Sequence, residues 1–196
     1  MNILNLIFLA LQSANPIFDW GACPFECCKY GEWITETKVA LYEKMDLHSK
    51  QISIDSGTKI KAITGVVKTI EPQFIVSKTT LDSILMSFDN KTFVSIKAGD
   101  TVRIIRYFGE GQYVSDFKNH KFLIQYDEND TTHWKPINPL VTEWWVKINY
   151  NQSQFWILDP KRFSGMDACV SPPALYHPVC PTFFSPVRGV GVVVVS

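Results

Sequence analysis

The sequence predicts a mainly β chain with little helix, folded as two small β-barrels in tandem. Three observations carry that prediction: a Trp-rich hairpin pattern near residue 150, an approximate internal repeat, and turn residues spaced between short apolar runs. Residues 143–150 (EWWVKINY) place Trp144, Val146, Ile148 and Tyr150 on one side and Trp145, Lys147 and Asn149 on the other. That period of two is the signature of a half-buried strand. Polar residues 151–154 can make a tight connection to a second apolar strand at 155–158. Asp159-Pro160 then ends it, because proline has no N–H for the ladder.

The repeat supplies the second barrel. Residues 52–63 (ISIDSGTKIKAI) align without a gap on 94–105 (VSIKAGDTVRII), 42 positions on, with Gly57 facing Gly99. Each copy reads as a strand, a polar turn carrying Gly, and another strand. Residues 34–42 alternate weakly and suit a first barrel strand. Residues 66–77 are strand-like and broken at Pro72. Leu81, Ile84, Leu85 and Phe88 fit one short helix or a buried strand; period alone does not separate the two. Asp89-Asn90-Lys91 reads as a turn into the second copy. Strands are then expected at 102–107, 113–117 and 122–126, with Gly109 and Gly111 in the first turn and Asn119-His120 in the second.

The ends differ from the middle. Residues 1–14 form an apolar run closing on Gln12-Ser13-Ala14, too short for a bilayer of roughly 30 Å. It is expected to be a secretory signal, although no Lys or Arg precedes it. Residues 15–36 are punctuated by Pro16, Gly21, Pro24 and Gly31, so an irregular arm is expected, anchored by Trp20, Phe25, Tyr30 and Trp33. The first barrel is assigned to 37–90 and the second to 91–169. A Pro/Val-rich tail occupies 170–196, with five of the eleven prolines in 171–186.

Five cysteines, three of them at Cys23, Cys27 and Cys28, suit an oxidising compartment. Zinc is the rival, but C-x3-C-C lacks a second pair to complete four ligands. A disulfide from Cys23 to Cys28 would close a small loop and hold the arm's aromatic rings in place.

Residues 94–106 (VSIKAGDTVRIIR), followed by YFGEGQY, EWWVKI and FWILDPKRFSGMDAC, resemble the bacterial SH3-like domains of exported proteins. The N-terminal ACPFECCKYGEW is similar to the cysteine arm of an uncharacterised group of such proteins, whose pattern is closer to CPFEGCxYGxW. Cys23 and Cys28 match that pattern's cysteines, and Cys27 stands where it has glycine. The resemblance spans roughly residues 20 to 169. It implies two SH3-like barrels in a periplasmic or secreted protein.

Function is narrowed mostly by exclusion. Lys+Arg and Asp+Glu both number 19, and no basic stripe is visible, so nucleic acid is not an expected partner. No catalytic role is expected either. Asp167-Ala168-Cys169 faintly resembles the start of a cell-wall cysteine peptidase domain, but only 27 residues follow Cys169 and His177 lies among prolines. His48, His120, His133 and His177 show no metal-ligand spacing. Asp127-Glu128-Asn129-Asp130 offers clustered oxygens, yet Thr132 and Asn138 stand where a calcium loop needs Gly and Glu. No glycine motif cradles phosphate, so neither metal nor cofactor is expected. Binding of a peptide or a cell-wall component remains, with no stable membrane span. SH3-type barrels lay extended peptides across aromatic grooves. Here the candidate ligand-binding residues are Tyr107 and Tyr113 beside the Gly109–Gly111 turn, and Trp145, which alternation turns away from Trp144. The competing expectation for Trp145 is packing beneath the N-terminal arm or the other barrel.

Overall fold

The computed structural model describes residues 15–25, 27–86 and 93–167. The expected signal segment, the 89–91 turn, the tail, Cys169, Cys180 and His177 all lie outside the described residues. Within them the chain is mainly β, and no helix is present. Fifteen strands form two principal sheets and a separate hairpin.

The larger sheet takes its strands from both ends of the described chain. It contains β1 (Ile17–Trp20), β2 (Gly31–Thr35), β3 (Val39–Tyr42), β4 (Gln51–Ile54) and β5 (Lys59–Glu71). To these it adds β13 (Val141–Tyr150), β14 (Ser153–Leu158) and β15 (Phe163–Ser164). The second sheet comes from one stretch of chain, interrupted by a single hairpin: β6 (Gln73–Ser77), β9 (Thr101–Gly109), β10 (Gln112–Phe117), β11 (His120–Gln125) and β12 (Trp134–Pro136). The hairpin of β7 (Leu81–Met86) and β8 (Phe93–Ile96) supplies Leu81, Val94 and Ile96 to the core of that second unit. The segment left open between helix and strand is therefore a strand over 81–86.

The 42-residue repeat reappears in the hydrogen bonds. Thr35 N donates to Thr58 O at 3.0 Å and Gly57 N to Thr35 O at 2.7 Å. Ser77 N donates to Asp100 O at 2.9 Å and Gly99 N to Ser77 O at 2.7 Å. Gly57 and Gly99 take left-handed φ of 80° and 90°, which a Cβ would resist. β2 pairs β5 through Trp33↔Ile60, and β6 pairs β9 through Ile75↔Val102, the same register 42 positions on. Even the bulges correspond. Pairing with β13 skips Ile63 between Ala62 and Thr64, and pairing with β10 skips Ile105 between Ile104 and Arg106. The two hairpin turns, Lys118-Asn119 and Asn151-Gln152, have positive φ at both central residues, the geometry that matches strand twist.

The units are nested where the sequence predicts them in tandem. β13 pairs along β5, from Val141↔Glu71 to Asn149↔Lys61, so the Trp hairpin closes the first unit and not the second. The whole second sheet is contained in the connection between those two strands. Trp144, Val146 and Ile148 complete a core with Trp33, Leu41, Ile60 and Ile157, whereas β9 finds its partner locally in β10. The arm also departs from expectation, because β1 pairs β5 through Trp20↔Val66 and is a strand. Thr69 Oγ1, donating to Ile105 O at 2.8 Å, and the Arg106–Asp19 ion pair join the two units.

Candidate functional site

Cross-strand neighbours share a face of a sheet, so register alone arranges the side chains across β1, β5, β13, β14 and β3. One row is Phe18, Lys68 and Glu143; the next is Trp20, Val66, Trp145 and Leu158; a third holds Lys147, Trp156 and Tyr42. The opposite face carries Val67, Trp144, Val146 and Ile157 into the core. This second face is apolar too, and it is not evenly covered. Val66 and Trp145 are buried, Trp156 and Tyr42 are half-buried, and Phe18 and Trp20 are 43% and 60% exposed. Phe18 stacks on Trp20 at 6.2 Å between ring centroids, and Trp20 meets Trp156 edge-on at 6.3 Å. Lys147 Nζ lies 5.7 Å above the Trp156 ring. The result is a short aromatic shelf on the sheet's outer face.

A groove of about 410 Å³ adjoins the shelf at Tyr42 and Leu158. It is also lined by Lys38 and by Pro160, Lys161 and Arg162 of the link from β14 to β15. Strand β14 ends there because Asp159 takes φ of 48° ahead of Pro160.

The structure does not bring the three sequence-predicted ligand residues together. Trp145 is 1% exposed. Its indole N–H donates to Glu143 Oε2 at 2.9 Å, and its ring meets Tyr42 edge-on at 5.7 Å. Alternation placed Trp145 on the outward side correctly, but that side is covered at this point by other rings. Tyr107 and Tyr113 belong to the second sheet, half-buried, with rings 5.2 Å apart; Tyr126 follows at 5.5 Å from Tyr113. Tyr107 Oη accepts a hydrogen bond from Gly111 N at 3.3 Å. In the register of the repeat this tyrosine pair occupies the place of Gly65 and Val146. The exposed rings are instead Phe18 and Trp20, beside the half-buried Trp156. Their signal in the sequence was the density of aromatic residues in the arm and in the second hairpin strand.

The other arm rings are anchors as expected. Phe25 packs edge-on against Trp144 at 5.7 Å, and Tyr30 stacks on the buried Trp33 at 6.2 Å. Cys23 and Cys28 form a disulfide, with Cα atoms 5.9 Å apart. Closing so short a loop stabilises the fold by about 2 kcal/mol in the chain-entropy model. Cys27 takes φ of 56°, a left-handed conformation that glycine adopts most readily. No thiol among the described cysteines is free.

Burial raises the Tyr30, Tyr113 and Tyr126 hydroxyls above the ordinary phenol range. A raised folded value means the native state holds its protons more tightly than the unfolded chain. Stability is then full below the unfolded value of about 10 and falls as pH rises through the folded values. Urea unfolding between about pH 8 and pH 11 is expected to show that loss, in step with tyrosinate absorbance. A flat profile would contradict it.

Among the described residues no three His, Cys, Asp or Glu side chains gather as a metal site. The acidic loop is an ordinary turn. Asp127 Oδ1 accepts from Asn129 N at 2.9 Å, and Asp130 Oδ1 accepts from Thr132 N at 3.0 Å. The hydrogen bond to His133 holds the Asp130 carboxyl below its usual value. No described helix is long and apolar enough to cross a membrane. No family model, curated protein or solved structure matches the chain.

Proposed function

We propose that the chain is a non-catalytic recognition module of the bacterial envelope, built on SH3-like barrels, that binds an extended peptide or cell-wall component across its aromatic shelf. One observation carries the reading: Phe18, Trp20 and Trp156 form a contiguous aromatic cluster with Trp20 60% exposed. Exposing a large ring to water forgoes about 2 kcal/mol of burial, and contiguous patches of this kind mark interaction surfaces. Aromatic rings also give large contact area for few frozen torsions. The disulfide fits the oxidising conditions of a periplasmic or secreted protein.

The test is a pulldown of envelope extract and of purified peptidoglycan with wild type, Trp20→Ala and Trp156→Ala. Retention of a common ligand is expected to fall about tenfold in both variants, the size of a lost hot spot. Equal retention by all three proteins would remove the shelf from the binding site. The enclosure of Trp145 favours the second reading, a structural or assembly module whose rings serve packing. That reading predicts the equal-retention result.

A further inference from the structure

The surface beside the shelf has a sign. Lys38, Lys161 and Arg162 line the groove, and the one carboxylate among its lining residues is Asp159, paired with Lys161 at 3.3 Å. Lys38 and Arg162 are exposed and meet no carboxylate within 4.0 Å among the described residues. On the shelf, Lys68 is neutralised by Glu143 at 3.0 Å, but Lys147 lies over the Trp156 ring and meets no carboxylate within 4.0 Å among the described residues. The chain as a whole carries no net charge, so this local excess is a property of the surface and not of the composition. Uncompensated cations beside a low-dielectric aromatic wall attract and orient a carboxylate.

Resting on the reading of the shelf as a ligand surface, we infer that its ligand is an acidic extended peptide: one that lays an apolar or aromatic side chain on Trp20 and Trp156 and a carboxylate in the Lys38–Arg162 groove. The spacing follows from β14. Trp156 and Leu158 are two residues apart, about 7 Å along the strand, and Lys161, the first basic residue of the link, follows Leu158 by three positions. An extended ligand covers the Trp156–Leu158 span in about two residues, at roughly 3.3 Å each, and Leu158 itself lines the groove. The ring geometry disfavours a flat sugar platform. Phe18 and Trp20 are nearly parallel at 19°, but Trp156 stands at 66° to Trp20 and so forms a cleft wall. A side chain fits such a corner better than the face of a pyranose does.

Selection from a display library of short random peptides tests the proposal, followed by fluorescence anisotropy with labelled copies of the selected sequences. Enriched peptides are expected to hold Asp or Glu within about four positions of Pro, an aromatic or a large aliphatic residue. Changing that acid to its amide should weaken binding by about tenfold, as should a Lys38→Glu/Arg162→Glu variant with unchanged circular dichroism and Tm. Rising salt should weaken the acidic peptide more than its amide counterpart. Peptides that need Trp20 yet are indifferent to the acid and to the charge reversal would overturn this inference and leave the shelf reading standing. Binding that survives Trp20→Ala would overturn both, whereas a library that yields no enriched sequence would overturn the acidic-peptide inference alone. Full competition by single-stranded oligothymidine would show a generic polyanion patch, again against the proposal.

Discussion

Trp145→Ala is expected to lower the free energy of unfolding by about 3–5 kcal/mol, the range for removing a fully buried large aromatic side chain. The ring is enclosed to 1%, wedged edge-on against Tyr42 and flanked across β5 by Val66 and Trp20. The variant also breaks a small polar network, because Glu143 Oε2 accepts from both the indole N–H and Lys68 Nζ. Trp145→Phe keeps most of the volume and removes only the donor, so a loss of about 1 kcal/mol is expected. Trp20→Ala, on an exposed ring, should cost at most about 1 kcal/mol. Urea midpoints at constant slope separate these three variants. If Trp145→Ala were as stable as wild type, its burial would contribute nothing and the packing account of the hairpin would fail.

Gly65→Ala is the second large effect. Gly65 of β5 pairs Val146 of β13, and its carbonyl accepts from Gly21 N at 2.8 Å, tying the arm to the sheet. A Cβ there would collide with Tyr30 Oη and lie 2.7 Å from Trp144 Nε1 and 3.1 Å from Ala22 O. All three belong to the arm or to the core tryptophan beneath it. Overpacking of this kind costs about 1–3 kcal/mol, with about 1 kcal/mol more if the Tyr30 Oη hydrogen bond to Ala22 O, 2.8 Å long, is displaced. Tyr30→Phe removes the atom in the way. The double variant should therefore be less destabilised than the sum of the single ones, a coupling that a double-mutant cycle measures. Strict additivity would show that the arm does not rest on Gly65.

Much of this architecture was legible in local pattern. Period two and the polar connection at 151–154 located the hairpin, and Gly57 and Gly99 located the repeat, because positive φ is a local demand that the sequence must meet locally. The nesting was not legible. Whether β5 pairs β13 or a nearer strand depends on which apolar side completes the core around Trp33, a contact across more than a hundred residues. The site was half legible for a related reason. Alternation gives the side on which Trp145 points, but not what lies over it; that depends on Tyr42 and on a strand at Trp20. β1 sits in a segment whose Pro and Gly spacing reads as irregular, yet its backbone donors and acceptors are satisfied along β5.

Indole N–H resonances offer the most direct measurement, since the six tryptophans are divided among the shelf, the two cores and the buried face beneath Tyr42. Titrating isotope-labelled protein with a peptide selected on it should shift Trp20 and Trp156 while leaving Trp33, Trp134 and Trp144 in place. Shifts concentrated at Trp134, or in the backbone amides of Tyr107 and Tyr113, would place recognition on the second sheet and contradict the account.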